Sequence, residues 1–232
     1  MKKKIMILGD SSAYPRSFPA EEKTDLEETY PYLLQNKFKD TTFWLNIMSN
    51  VTTEKICSIP ISYIPHWKPD VIILHSGLND SRPQGIPPIL LNNLRKIFFP
   101  FLILERILPF TKGIYKRSLL LLENKYFVKI FAGYASSPNN FARVLKRLKR
   151  IFSSSKIYCL EIICHDNYEK QRPGVIKRKK IYNNILKDIF SDQFIELQNI
   201  VDDVDGFNVD CMHLNKRGHK AIFDQLSKQI LD

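Results

Sequence analysis

Five short apolar runs, each bounded by polar or turn-forming residues, recur along the chain: KIMIL (4–8), TFWLNIM (42–48), DVIILHS (70–76), KIYCLEII (156–163) and QFIEL (193–197). They lack strict alternation of apolar and polar positions, as strands covered on both faces do. Between and after them the pattern changes to a helical one, in YPYLLQNKF (30–38), NNFARVLKRLKRIF (139–152), VIKRKKIYNNILKDIF (175–190) and KAIFDQLSKQIL (220–231). Phe141, Val144, Leu145, Leu148 and Phe152 fall on one stripe, and Ile222, Leu226 and Ile230 are spaced four apart on another. Strand alternating with helix predicts a parallel sheet between two helical layers, a three-layer α/β/α sandwich. A chain of 232 residues with 44% apolar content is long enough for one sizeable core and marginal for two, so a single domain over 1–232 is expected.

In a sheet of this kind ligands bind outside the carboxyl ends of the strands, which singles out the loops after each apolar run. These read GDSSAYPR, SNVTTE, GLNDSRP, CHDNYEKQRPG and the stretch that contains VDCMH. A serine attacks an ester only when a base takes its proton, a carboxylate orients that base and convergent donors hold the oxyanion. All four kinds of group stand at predicted strand ends. Ser11 follows Gly-Asp after the first run, and Asn79 after the third carries an amide that can donate to an oxyanion. His213 could act as base, with Asp210, three residues before it, fixing its tautomer. Asp10, His165 and Asp166 are candidates for lining a substrate pocket, whereas His219, on the last helix, reads as structural. Taken singly these features are ordinary, since serine after Gly-Asp and Asn before Asp are common in turns. No cluster of His, Cys and carboxylates has metal-ligand spacing, so no metal is expected, and a serine mechanism of this kind needs no cofactor.

Taken together, three blocks resemble the SGNH hydrolases, the GDSL esterase and lipase family. GDSS (9–12) is similar to the first block, with Ser11 at the nucleophile and Ser12 where leucine is usual. GLND (77–80) fits G-x-N-D, with Asn79 at the oxyanion-hole asparagine, and DCMHLNKRGH (210–219) fits D-x-x-H-x-N-x-x-G-H, with Asp210 and His213 as acid and base. The resemblance implies a flavodoxin-like fold, an acyl-enzyme on Ser11 and an oxyanion hole that includes the Ser11 N–H. It departs from the family at the second block, which normally supplies a glycine N–H. In NIMSNVTTE, if Thr52 and Thr53 set the alignment, Asn50 stands in that place. Asparagine is the non-glycine residue that best tolerates left-handed backbone angles, and it keeps the N–H.

Charge and composition narrow this less. The excess of 35 Lys and Arg over 24 Asp and Glu, +11, suits nucleic acid, an anionic membrane or an acidic substrate equally. Much of it lies in RVLKRLKR (143–150) and KRKK (177–180), which on helices form solvated faces, and no aromatic-rich RNA-binding motif accompanies them, so no nucleic-acid partner is expected. Cys57, Cys159, Cys164 and Cys211 form no C-x-x-C pair and fit a reduced, cytoplasmic protein. The opening MKKKIMILGDSS has too short an apolar run for a signal peptide and reads as a first strand.

The third and fourth apolar runs are separated by about eighty residues, roughly forty more than one crossover helix needs, and the excess is an apolar and basic insertion at about 93–135. Pro100, Glu105, Arg106 and Pro109 interrupt it too often for a bilayer span. It could pack as a helical hairpin on the core, form a dimer interface, or lie on the inner membrane face with Phe98, Phe99, Phe101 and Leu102 in the interface and Arg95, Lys96, Lys112, Lys116 and Arg117 at the headgroups. The expected activity is hydrolysis of a short-chain, acetyl-like ester, on a small molecule or a glycan. The rival readings are a lysophospholipase or thioesterase at a membrane surface and a non-catalytic binding module on the same fold. The sequence leaves the oligomeric state open.

Overall fold

The computed structural model describes residues 2–17, 19–63, 66–84 and 133–231. Its strands are β1 (Lys4–Gly9), β2 (Thr42–Ile47), β3 (Val71–His75), β4 (Pro83–Gln84), β5 (Gly133–Tyr134), β6 (Lys156–Leu160) and β7 (Phe194–Ile195). Its helices are α1 (Tyr30–Lys37), α2 (Thr53–Tyr63), α3 (Leu78–Ser81), α4 (Pro138–Ile151), α5 (Tyr168–Gln171), α6 (Val175–Phe190), α7 (Gln198–Asp202) and α8 (Lys216–Leu231). Five strands form one all-parallel sheet in the order β2-β1-β3-β6-β7. β1 therefore sits between β2 and β3, and the chain leaves it first to one side and later to the other. That reversal opens a crevice at the carboxyl ends of β1 and β3, where ligands bind in doubly wound sheets.

The strands are covered on both faces, as their unbroken apolar runs predict. Met6, Leu8, Ile72, Leu74, Ile157 and Cys159 point to one layer, where Ile56 of α2, Phe141, Leu145 and Leu148 of α4 and Tyr182 and Leu186 of α6 meet them. The alternate residues Ile5, Ile7, Val71, Ile73, Tyr158 and Leu160 face Tyr30 and Leu34 of α1 and Ile222, Leu226 and Ile230 of α8. Period-two alternation within each strand thus feeds two cores of similar make-up.

Two sequence expectations need adjustment, and one helix had no counterpart among them. The run 156–163 leaves the sheet after Leu160, because its outer neighbour β7 pairs only Phe194 and Ile195 with it. Glu161 then turns away to accept the Leu197 and Gln198 amides at 2.8 and 2.9 Å. The last helix begins at Lys216, four residues ahead of the apolar pattern, because Asn215 caps it through the Arg217 and Gly218 amides at 2.9 and 3.1 Å. Helix α2 was hidden in the sequence by Pro60 inside it. The insertion at about 93–135 lies outside the described residues as far as 132. The antiparallel pairing of Pro83 with Tyr134 and Gln84 with Gly133 brings the two ends of the 85–132 stretch together. Among the described residues no helix is long and apolar enough to cross a membrane.

α8 is held against the loop before it by a contact that only glycine allows. A Cβ on Gly218 would lie 2.2 Å from the Gly206 carbonyl oxygen, and one on Gly206 would lie 2.7 Å from the Gly218 Cα. The next residue, His219, is fully buried beside Tyr30, its Nδ1 accepting the Tyr30 amide at 3.4 Å. Burial, aided by repulsion from His75, Arg16 and His213, pushes its pKa down to about 3.

Two outcomes follow. Gly218→Ala should destabilise the protein by about 1–3 kcal/mol, because backbone rather than a movable side chain opposes the methyl; a urea midpoint measures it. His219 is neutral when folded and titrates near 6.5 when unfolded, so its contribution is complete above about pH 6.5 and drains away as pH falls toward 3. Between pH 7 and 5 the wild type should lose roughly 1–2 kcal/mol that His219→Asn, which keeps an acceptor for Tyr30, does not lose.

Candidate active site

The nucleophile candidate stands where β1 ends. Gly9 pairs with Ile47 of β2 and His75 of β3, and the Asp10 amide continues the ladder by donating to the His75 carbonyl at 3.0 Å. The chain then turns through one short 3-10 helix, Ser11–Ala13. Asp10, expected to line a substrate pocket, is 2% exposed, and its carboxylate accepts the Ser12 amide at 2.9 Å, capping the turn that presents Ser11. Half-buried Arg16 lies near both Asp10 and Asp210; burial lowers its pKa, while the two carboxylates act to raise it.

The acid and base candidates come from the other end of the chain. Asp210 Oδ1 accepts the amides of Met212 and His213 at 3.1 and 2.9 Å, while its Oδ2 accepts the His213 Nδ1–H at 2.5 Å. One carboxylate therefore both folds the turn and aims the ring, which is why the two residues are only three apart. Cys211, inside this turn, adopts φ +65°. Burial of Asp210 works against its ionisation, but hydrogen bonds from the His213 ring and the two amides, and the charge interaction with His213, outweigh it and bring the carboxyl down to about 2. His213, 4% exposed, turns its Nε2 to Ser11 Oγ at 2.9 Å. Ser11, His213 and Asp210 are thus joined in one hydrogen-bonded chain.

Asn215, quoted in the sequence motif without a role, holds this loop from behind. Its amide donates to the carbonyls of Asp205 and Phe207 at 2.8 and 3.0 Å while its oxygen caps α8. An asparagine directly before a helix is a legible cap, and that signal could have found it.

The proposed oxyanion donors occupy the neighbouring loops. Gly77, at φ +128°, turns the chain from β3 into α3, whose second residue is the half-buried Asn79. Asn50 lies beyond β2 at φ +56°, the left-handed region that glycine favours, and its side-chain oxygen accepts from Arg82 at 3.4 Å. Among the described residues nothing accepts a hydrogen bond from the Ser11 amide, the Asn50 amide or the Asn79 side chain. Between these two loops lies Asp80, fully buried, whose Oδ2 accepts both the amide and the hydroxyl of Thr53 at 2.8 Å. No local sequence pattern shows that Asp80 and Thr53 meet, 27 positions apart. His165 lies beside the acid-base turn, its amide donating to the Cys211 carbonyl at 2.9 Å and its ring edge-on to Phe207. Asp166 is exposed, and its carbonyl accepts the Glu169 amide at 3.0 Å.

No family model and no curated protein matches this sequence. Solved structures do. The lipase/acylhydrolase from Enterococcus faecalis is 13% identical and superposes with a TM-score of 0.61 over 98% of this chain and 95% of that one. A carbohydrate acetylesterase family member from Sinorhizobium meliloti is 12% identical, with a TM-score of 0.60 over 98% and 97% of the two chains. The psychrotrophic esterase EstA from Pseudoalteromonas sp., inhibited by monoethylphosphonate, is 15% identical, with a TM-score of 0.56 over 99% and 100%. Sheet order, connection and these superpositions agree that the chain has the fold of the GDSL-type lipases and esterases, the SGNH hydrolase fold.

Proposed function

We propose that this chain is a serine esterase that hydrolyses short-chain acyl esters, acetyl esters on carbohydrate among them, through an acyl-enzyme on Ser11. The observation that carries the reading is the hydrogen-bonded chain from Ser11 Oγ to His213 Nε2, at 2.9 Å, and from His213 Nδ1 to Asp210 Oδ2, at 2.5 Å. His213 removes the Ser11 proton as Oγ bonds to the ester carbonyl carbon, and the carbonyl electrons move onto oxygen. Asp210, ionised because its carboxyl sits near 2, stabilises the imidazolium that forms. The Ser11 amide, Asn79 and the Asn50 amide receive the oxyanion, where fixed donors count for most in the transition state. As the tetrahedral species collapses, the carbon–oxygen bond to the alcohol breaks and His213 gives that oxygen its proton. A water, deprotonated by His213, then attacks the acyl-enzyme, and the acid leaves as Ser11 regains its hydrogen. No cofactor enters these steps.

The acetyl preference draws on the likeness to the Sinorhizobium meliloti acetylesterase family member. His165 and Asp166, after β6, are the candidates for contacting the alcohol part. The proposed setting is cytoplasmic, without nucleic acid as a partner, the insertion being the part through which the inner membrane face would be touched.

Purified protein should release nitrophenol from p-nitrophenyl acetate, and Ser11→Ala or His213→Ala should lower kcat by about 10⁴-fold or more, with Asp210→Asn less damaging than either. Equal rates for Ser11→Ala and wild type would remove the nucleophile assignment. A fluorophosphonate probe should label Ser11, and its failure to do so at any pH would favour a binding module. Across p-nitrophenyl esters the rate should fall steeply beyond butyryl; a rise toward octanoyl would point instead to a lysophospholipase or thioesterase.

A further inference from the structure

We propose that Asp80 is a positioning residue for the reaction: by gripping Thr53 it fixes the loop that bears Asn50 against the helix that bears Asn79, and so sets the separation of the oxyanion donors. The inference rests on the esterase reading above and adds a part to it.

Three features of Asp80 go together. It is fully buried in α3, directly after Asn79, so any movement of its carboxylate is passed to the neighbouring amide. Its Oδ2 takes two hydrogen bonds from a single residue of the other loop, the Thr53 amide and hydroxyl, each at 2.8 Å. Thr53 is the first residue of α2, so the carboxylate also caps that helix and faces the positive end of its dipole. Ser76, the residue after β3, completes the arrangement, its hydroxyl 2.8 Å from that of Thr53. The ends of β2 and β3 are thereby tied through side chains at a point where no strand pairing joins them, since β1 lies between them.

The link is a costly one. Burial raises the Asp80 carboxyl to about 6, against the pull of the Thr53 bonds, and the nearby charge of Asp10 adds to the rise. Its Oδ1 is buried without a hydrogen bond of good geometry, the Ser136 hydroxyl contributing the weakest of the favourable contacts. A bridge needed only for stability could be made by an amide without burying a charge. What a charged acceptor adds is stiffness between two loops, because charge-assisted bonds are shorter and stronger than neutral ones. Stiffness matters where donors must meet an oxyanion that exists only in the transition state.

The test compares Asp80→Asn, Thr53→Val and Thr53→Ser, with active sites counted by exhaustive fluorophosphonate labelling of Ser11 so that only folded, competent protein enters the rate. For p-nitrophenyl acetate, kcat per labelled site should fall about tenfold to a hundredfold in Asp80→Asn and Thr53→Val, with KM changed less than about threefold, because the loss is confined to the transition state. Thr53→Ser, which restores both the amide and the hydroxyl bond, should recover most of what Thr53→Val loses. If Asp80→Asn does not fold, Thr53→Val carries the comparison, since it retains the amide bond. An unchanged kcat per labelled site, a loss in KM alone, or no recovery with serine overturns the proposal. A wild type that neither labels nor turns over ester overturns the esterase reading itself, and this proposal with it.

Discussion

A single hydrogen bond, from Ser11 to His213, joins residues 202 positions apart, and nearly every feature of the fold bears on whether it can form. At 2.9 Å it tolerates little error on either side. On the serine side, position is set by β1, the central strand of its neighbourhood, locked by β2 and β3 and buried on both faces. On the histidine side it is set by α8, whose Ile222, Leu226 and Ile230 pack on the same sheet face as α1. The Gly206–Gly218 approach and the Asn215 cap then fix how the preceding loop leaves that helix. Two ends of the chain are thus referred to one sheet, and the hydrogen bond measures how well both are placed.

The polar groups behind Ser11 show how this precision is kept in a dry environment. His75 and His219 are both buried and both lie against the Tyr30 ring; the Tyr30 hydroxyl is 3.2 Å from His75 Nδ1, and the Tyr30 amide donates to His219. Burial lowers both histidines, so both remain neutral at neutral pH and can serve as plain acceptors or donors. Asp10 accepts the Ser12 amide in the same region. The outcome is a division of surroundings among histidines: His75 and His219 are enclosed around Tyr30, whereas His213 turns its Nε2 to Ser11 at the strand ends.

Much of this was legible before any coordinates. The apolar runs located the principal strands because a sheet covered on both faces imposes hydrophobicity at every position, and the stripe Phe141, Val144, Leu145, Leu148 marked α4 without ambiguity. The Asp210–His213 spacing was readable because the interaction is local: one turn of backbone carries both members. What escaped were contacts made across the fold. α2 was obscured by Pro60, and Asp80 and Thr53 act through partners that sequence order does not bring together. The carboxylate at position 10 looks open to a ligand in sequence until its burial and its bond to Ser12 are known.

The choice of asparagine at position 50 also has a physical account. The backbone there takes φ +56°, which explains why glycine would suit and why asparagine is tolerated. Asparagine brings something glycine lacks, a side-chain oxygen, and that oxygen accepts from Arg82, which directly follows α3. Glycine would leave the turn freer in the unfolded chain and unanchored in the folded one. Here the second and third loops are connected at the surface through Asn50 and Arg82 and in the interior through Thr53, which meets both Asp80 and Ser76. Asparagine at this position thus holds its amide in the backbone region that glycine favours and adds an outer tie to the inner one.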